Sequence, residues 1–154
     1  MAPFAQASSG TGTGDDPPLV SVPDLCSLSS LSPLRGRVSA IRVVSVFHLF
    51  SEERQLHLVR ALAGLLSPEP GSVIFGAHIA ADEKGFEPSV MLRDHHRMWC
   101  HSPEGWTELW DGHIFEKGVV KVQTKLVHME RKLLQADAPQ DETFTSLVWL
   151  VTRL

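Results

Sequence analysis

The sequence predicts an α/β fold in which two parallel strands, joined by a crossover helix, are followed by an antiparallel strand pair. Residues 38–47 and 72–78 are two nearly continuous apolar, β-branched runs, which is typical of strands buried on both faces of a parallel sheet. An amphipathic segment from about Ser51 to Leu66 separates them. Residues 120–126 alternate in polarity and residues 144–152 are apolar on both faces, so these two strands are expected to pair antiparallel.

Composition and charge narrow the class of protein. The chain has 154 residues, of which 43% are hydrophobic and 21% charged, and its formal net charge is −4. This predicts one globular core and gives no electrostatic reason to expect a nucleic-acid or membrane partner. No apolar run approaches the ~20 residues of a membrane span, and the N-terminus does not look like a secretory signal. Cys26 and Cys100 form no C-x-x-C pair, so reduced thiols in a cytoplasmic protein are expected.

The first 24 residues differ in composition from the rest. They are rich in glycine, serine, threonine and proline without periodicity, and we interpret them as a flexible segment ahead of a domain spanning residues 25–154. Residues 10–14 (GTGTG) superficially match the glycine-rich turn of nucleotide-binding proteins. That turn binds phosphate only between a strand and a helix N-terminus. No strand-like run precedes Gly10, so a linker is the better interpretation.

Local signals place the remaining elements. Leucines at every third position from Leu25 to Leu34 predict a short helix or 3₁₀ turns, followed by a turn at residues 35–37. Ser51 is expected to cap the main helix, which residues 67–71 (SPEPG) end. Ser102 and the proline after it predict a second helix, ending at residues 111–112. Residues 81–98 are read as a polar excursion and residues 130–142 as a charged loop.

Polar side chains follow the two parallel strands at the ends where α/β sheets bind ligands. His48 and His78 lie there, and they are candidates for ligand contact or, alternatively, packed histidines bonded to the backbone. His95, His96, Cys100 and His101 lack the spacing of a zinc site, so no metal is expected. Trp106 lies on the apolar face of the second helix, either as core packing or as pocket lining.

Three segments carry a resemblance to a known family. They are residues 45–53 (SVFHLFSEE), 65–76 (LLSPEPGSVIFG) and 100–110 (CHSPEGWTELW). In this order they resemble the C-terminal part of a fungal subfamily of class I SAM-dependent methyltransferases, whose members methylate small molecules in secondary metabolism. The resemblance covers about Leu25 to Leu154.

The resemblance implies a partial Rossmann-like sheet. The complete fold has the strand order 3-2-1-4-5-7-6, and this chain matches strands four to seven, with the N-terminal strands and the glycine-rich loop missing. It further implies that Ser45, Phe47 and His48 border the cofactor, S-adenosyl-L-methionine (SAM). His78, His101 and Trp106 would contact a small-molecule substrate. A truncated methyltransferase without its main cofactor anchors is expected to bind SAM weakly.

A partial sheet also has structural consequences. The strand at residues 38–47 would present an unpaired edge, and one sheet face would lie bare unless the N-terminal segment or another chain covers it. Arg42, within that strand, fits an edge or an uncovered face. The alternatives are a non-catalytic derivative that pairs with a second copy or a homologue through this edge, an incomplete gene product, and an unrelated α/β binding module.

Overall fold

The computed structural model describes residues 24–91, 97–131 and 142–154. The predicted flexible segment, its GTGTG motif, His95, His96 and most of the predicted charged loop lie outside these residues. The described chain contains two 3₁₀ turns (Leu25–Ser27 and Ser32–Leu34), then β1 (Ala40–Val44), a 3₁₀ turn (Phe47–Leu49), α1 (Glu52–Leu65), β2 (Val73–Ile79), β3 (Gly85–Met91), β4 (Arg97–Cys100), α2 (Pro103–Trp110), β5 (Val120–Arg131) and β6 (Glu142–Arg153).

Four strands form the main sheet in the order β1-β2-β6-β5. β1 and β2 run parallel, with Ile41 opposite Ile74, as the crossover helix between them requires. β6 lies antiparallel between β2 and β5. The predicted parallel pair, crossover helix and closing antiparallel pair are therefore all present, and the last strand is interior, as its apolar character on both faces indicated.

Both α-helices pack on the same face of this sheet, which we call the covered face. Ile74, Trp149 and Val151 point from the sheet into a core that also contains Val59 of α1 and two buried tryptophans of α2. Burial of this apolar surface is the main stabilising contribution to the fold. The opposite face, which we call the open face, exposes large apolar side chains, namely those of Val44, Phe75 and Val148.

The first strand is shorter than predicted. Residues 38–47 were expected to be extended, but β1 covers only Ala40–Val44. Ser45 has φ +56°, in the left-handed region that non-glycine residues rarely adopt, and it turns the chain into the 3₁₀ turn at Phe47–Leu49. Arg42 is exposed on β1, which pairs only with β2 among the described strands. The predicted edge position of Arg42 is thus confirmed for this part of the chain.

A two-stranded sheet lies where the sequence indicated no regular element. β3 and β4 pair antiparallel, with a shift of register between Glu87 and Met91. The prediction of a polar excursion was therefore wrong in this region. β5 and β6 also extend further than predicted: Arg131 and Glu142 are paired strand residues, although both were assigned to the charged loop.

The helix starts differ in how they are capped. Ser102 accepts a hydrogen bond from the backbone N–H of Gly105 (Oγ···N 3.1 Å), as predicted for α2. Ser51 is the N-cap residue of α1, as predicted, but its side chain makes no cap hydrogen bond. The nearby buried Gln55 connects the start of α1 to β4, since its amide donates to the carbonyls of Phe50 (3.0 Å) and Trp99 (2.9 Å).

No helix in the described part of the chain is long and apolar enough to cross a membrane.

Candidate functional site

The candidate residues lie at the carboxyl ends of β1 and β2. Ser45 directly follows β1 and is exposed, and its backbone N–H donates to the carbonyl of Ala77 in β2 (2.8 Å). Phe47 and His48 follow in the 3₁₀ turn, and both are buried. His78 is the penultimate residue of β2 and is 3% exposed. The parallel pairing of the two strands therefore brings these four residues to one edge of the sheet, as predicted.

Four of the six candidate residues share one cluster of rings. The ring of Trp106 contacts those of His78 (centroids 4.6 Å apart), Phe47 (4.9 Å) and His101 (5.2 Å). Phe47 also contacts His78 at 5.3 Å. Most of these contacts are edge-to-face, the geometry that aromatic quadrupoles favour. Ser45 lies outside the cluster, so the structure unites Phe47, His78, His101 and Trp106 and leaves Ser45 at the surface.

Trp149 of β6 completes this cluster and was not among the predicted site residues. Its indole N–H donates to Nδ1 of His78 (2.9 Å). An indole nitrogen is a donor only, so Nδ1 of His78 is the acceptor and the neutral ring carries its proton on Nε2. That Nε2 is buried and has no hydrogen-bond partner among the described residues. Trp149 therefore fixes the tautomer of a candidate site residue.

The histidines of the site favour their neutral forms. Burial, together with the nearby His101 and His48, lowers the pKa of His78 to about 3. Burial and the charge of Lys84 lower the pKa of His101 to about 4, although Glu52 acts in the opposite direction. Burial also lowers the pKa of His48. At neutral pH these rings are uncharged, and each can donate one hydrogen bond and accept another.

Stability is expected to fall in mild acid because of these histidines. His78 and His101 have a pKa of 6.5 in the unfolded chain and of about 3 and about 4 in the folded chain. Above pH 6.5 both are mostly neutral in either state, so they do not make the stability depend on pH there. Below that pH the unfolded state binds more protons, and stability drops by up to about 1.4 kcal/mol per pH unit for each histidine. Urea unfolding at pH 7 and pH 5 measures this loss, which should reach roughly 2 kcal/mol for each of the two.

The His101→Phe variant tests the source of that loss. Phenylalanine retains a ring against Trp106 but does not titrate, so the loss between pH 7 and pH 5 should shrink by about 2 kcal/mol. His57→Phe, on the exposed side of α1, is the matched control and should keep the full loss. Equal pH dependence in His101→Phe and the wild-type chain would contradict the assignment.

A cleft of about 230 Å³ opens beside the cluster, between α1 and α2. His101 reaches both features, since it contacts Trp106 and also lines this cleft. Lys84 and Glu52 lie at the cleft and form an ion pair (Nζ···Oε1 2.6 Å). The sequence carried no signal for the contribution of Lys84, which lies in the region read as a polar excursion. Among the described residues, no group of three or more histidine, cysteine or acidic side chains is placed to bind a metal ion.

Comparison with known proteins gives one informative similarity. No protein-family model matches the sequence. The chain is 30% identical over 91 residues to O-methyltransferase phiE of a fungal species (Fungal sp., strain ATCC 74256). The match covers 57% of this chain but only 29% of the length of that relative. This partial similarity supports a relationship between the chain and methyltransferases.

Proposed function

We propose that the chain forms the C-terminal part of a class I SAM-dependent methyltransferase of the kind that methylates small molecules in fungal secondary metabolism. The observation that carries this proposal is the strand order β1-β2-β6-β5, in which β6 alone runs opposite to the other three strands of the sheet. It agrees with strands 4, 5, 7 and 6 of the fold implied by the sequence resemblance. The partial similarity to a fungal O-methyltransferase supports the same assignment.

The end of β1 offers polar atoms that fit a cofactor border. Ser45 is exposed there, and Nδ1 of His48 is buried without a hydrogen-bond partner among the described residues. In parallel α/β sheets ligands bind beyond the carboxyl ends of the strands. SAM would supply an activated methyl group at this edge, with Ser45 and His48 as contacts and Phe47 as the buried support beneath them.

The other candidate residues would act on the substrate side. His101 is uncharged at neutral pH because its pKa is lowered to about 4, so its ring has an unprotonated nitrogen that can accept a proton from a hydroxyl group. Trp106 and His78 are buried beneath it. Trp106 packs against both His78 and His101, which would hold the His101 imidazole in a fixed orientation. Alignment accounts for most of the catalysis in a displacement of this kind.

Mapping the binding of S-adenosylhomocysteine by NMR tests the proposed cofactor border. Titration should shift the backbone amide signals of residues 45–48 while leaving Gly71 and Ser72, at the opposite end of β2, unchanged. Binding is expected to be weak, with Kd above about 100 µM, because the resemblance matches this chain to strands four to seven, whereas it implies ribose and methionine contacts at strands one and two. Shifts confined to the opposite end, or none at 10 mM ligand in a folded sample, would contradict the proposal.

A second candidate function is that of a non-catalytic chain that pairs through the edge of β1 that has no partner among the described strands. The exposure of Val44 on β1, together with Phe75 of β2 and Val148 of β6 on the same open face, favours it, because exposed strand edges and apolar patches promote association. Sedimentation velocity should then show a concentration-dependent dimer, which Val44→Lys abolishes by placing a charge at the edge. A wild-type chain that stays monomeric at 100 µM would contradict this function.

A further inference from the structure

The cleft between α1 and α2 has the features of a ligand site that is separate from the proposed cofactor border. Its lining comes from both helices and from the segment before β3, and it includes Leu56 of α1, Leu109 of α2, and Lys84. Its volume of about 230 Å³ corresponds to that of about eight water molecules in the liquid. Gly105 also lines it, so part of its space exists because α2 has no side chain there.

A buried polar group without a partner lines this cleft. His101 is 4% exposed, and neither of its ring nitrogens has a hydrogen-bond partner among the described residues. Leaving a buried donor or acceptor unpaired costs roughly as much as a hydrogen bond contributes. The contact of its ring with Trp106, at 5.2 Å between centroids, holds the imidazole in place. A molecule bound in the cleft can supply the missing partner.

The charges around the cleft indicate an uncharged ligand. Two cations, Arg60 and Lys84, and two carboxylates, Glu52 and Glu108, line it, and Lys84 already pairs with Glu52. The formal charges of these four side chains sum to zero, and the lining also contains a second histidine, His113. His101 adds none at neutral pH, since its pKa is lowered to about 4. A net charge on the ligand would therefore add little to its binding free energy. A hydroxyl group, in contrast, can donate a hydrogen bond to a neutral imidazole or accept one from it.

We propose that this cleft binds a small uncharged organic molecule that carries a hydroxyl group. The hydroxyl hydrogen-bonds to the imidazole of His101, and the apolar body of the molecule packs against Leu56 and Leu109. This proposal deepens the substrate side of the proposed function, where His101 also faces a hydroxyl group, and the identification of the bound molecule as substrate rests on that function. The binding itself is argued from the lining of the cleft.

Titration with phenol and toluene tests the hydroxyl contact, since the two probes share their shape and differ in that group. Phenol should bind saturably, shift the imidazole ¹⁵N signals of His101, and bind at least tenfold more tightly than toluene. In His101→Phe, phenol binding should weaken at least tenfold, whereas the matched His57→Phe should bind as the wild-type chain does. Equal affinity for the two probes, or unchanged phenol binding by His101→Phe, would overturn the proposal.

A second pair of variants locates the site without removing a buried group. A Cβ at position 105 would make only ordinary contacts, 3.4 Å from Ser102 Oγ and 3.7 Å from Lys84 Cδ, whereas a Cβ at Gly64 would have no neighbour within 4 Å. Gly105→Ala should remain folded and weaken phenol binding at least threefold, and Gly64→Ala should leave it unchanged. Equal binding by both variants would overturn the location, and preferential binding of acetate or glycine would overturn the assignment of an uncharged ligand. Neither result bears on S-adenosylhomocysteine at residues 45–48, so the two proposals can fail separately.

Discussion

Replacing Gly76 with alanine is expected to destabilise the chain by about 3 kcal/mol or more. A Cβ at this position in β2 would overlap the backbone carbonyl of Val43 in β1 and would lie 3.2 Å from the ring of Trp149. The carbonyl belongs to the backbone of a paired strand and cannot rotate away as a flexible side chain can. Relief of the overlap would require β1 to move away from β2. Urea unfolding followed by circular dichroism measures the loss.

Gly64→Ala is the matched control for that substitution. Gly64 lies within α1, and a Cβ there meets no atom within 4 Å. Because glycine is less favourable than alanine in a helix by up to about 1 kcal/mol, this variant should be as stable as the wild-type chain or slightly more so. Similar destabilisation in both variants would show that the close approach of β1 and β2 at Gly76 is not the cause.

Replacing Trp106 with alanine should cost about 3–5 kcal/mol of unfolding free energy. The side chain is fully buried and forms ring contacts with five neighbours: Phe47, His78, His101, Trp110 and Trp149. Its removal leaves a large cavity at the point where the turn after β1, the end of β2, α2 and β6 meet. Denaturant unfolding monitored by far-UV circular dichroism checks this value.

Two further variants separate packing from hydrogen bonding at this position. Trp106→Phe should cost much less than Trp106→Ala, because it keeps a ring and removes a buried indole N–H that has no partner among the described residues. Phe86→Ala removes a ring that is 57% exposed and should change stability by only about 0.5 kcal/mol. A loss of similar size in Trp106→Ala and Phe86→Ala would refute the central role of Trp106 in packing.

The main sheet could be predicted because its signals are local in the sequence. The apolar runs of β2 and β6, the amphipathic pattern of α1 and the Ser-Pro start of α2 each specify an element without reference to the rest of the chain. The end of β1 could not be predicted in the same way. Residues 45–47 (SVF) contain a β-branched and an aromatic residue of the kinds that strands favour, but the left-handed backbone of Ser45 ends the strand there.

The β3–β4 pair had no comparable signal. Pro88 lies within β3, and a proline inside a run argues against a strand. Phe86 is largely exposed, and the buried Met98 and Cys100 of β4 alternate with the partly buried Trp99 over only three residues, which is too short a pattern to identify a strand. The pairing is also interrupted by a shift of register. Its formation depends on contacts that composition and periodicity do not encode.

The candidate site could be predicted only where position along a strand determined it. His48 and His78 were placed at one sheet edge because each follows or ends a parallel strand. Trp149 was not predicted as a site residue because its hydrogen-bond partner, His78, is 71 residues earlier in the chain. Its strand was interpreted only as an interior strand of the core. The cleft between α1 and α2 depends on the packing of the two helices and on the position of Lys84. No local sequence pattern indicates that these parts of the chain meet.

The position of β6 constrains the order in which the protein can fold during its synthesis. This strand, Glu142–Arg153, is the last element of the described chain, yet it lies between β2 and β5 and joins them. Before β6 leaves the ribosome, β5 has no partner among the described strands, and the β1–β2 pair lacks the strand that lies next to β2. The sheet therefore cannot close before Arg153 has left the ribosome, so β5 and the β6-facing side of β2 remain without β6 until then, a state that favours aggregation and chaperone binding.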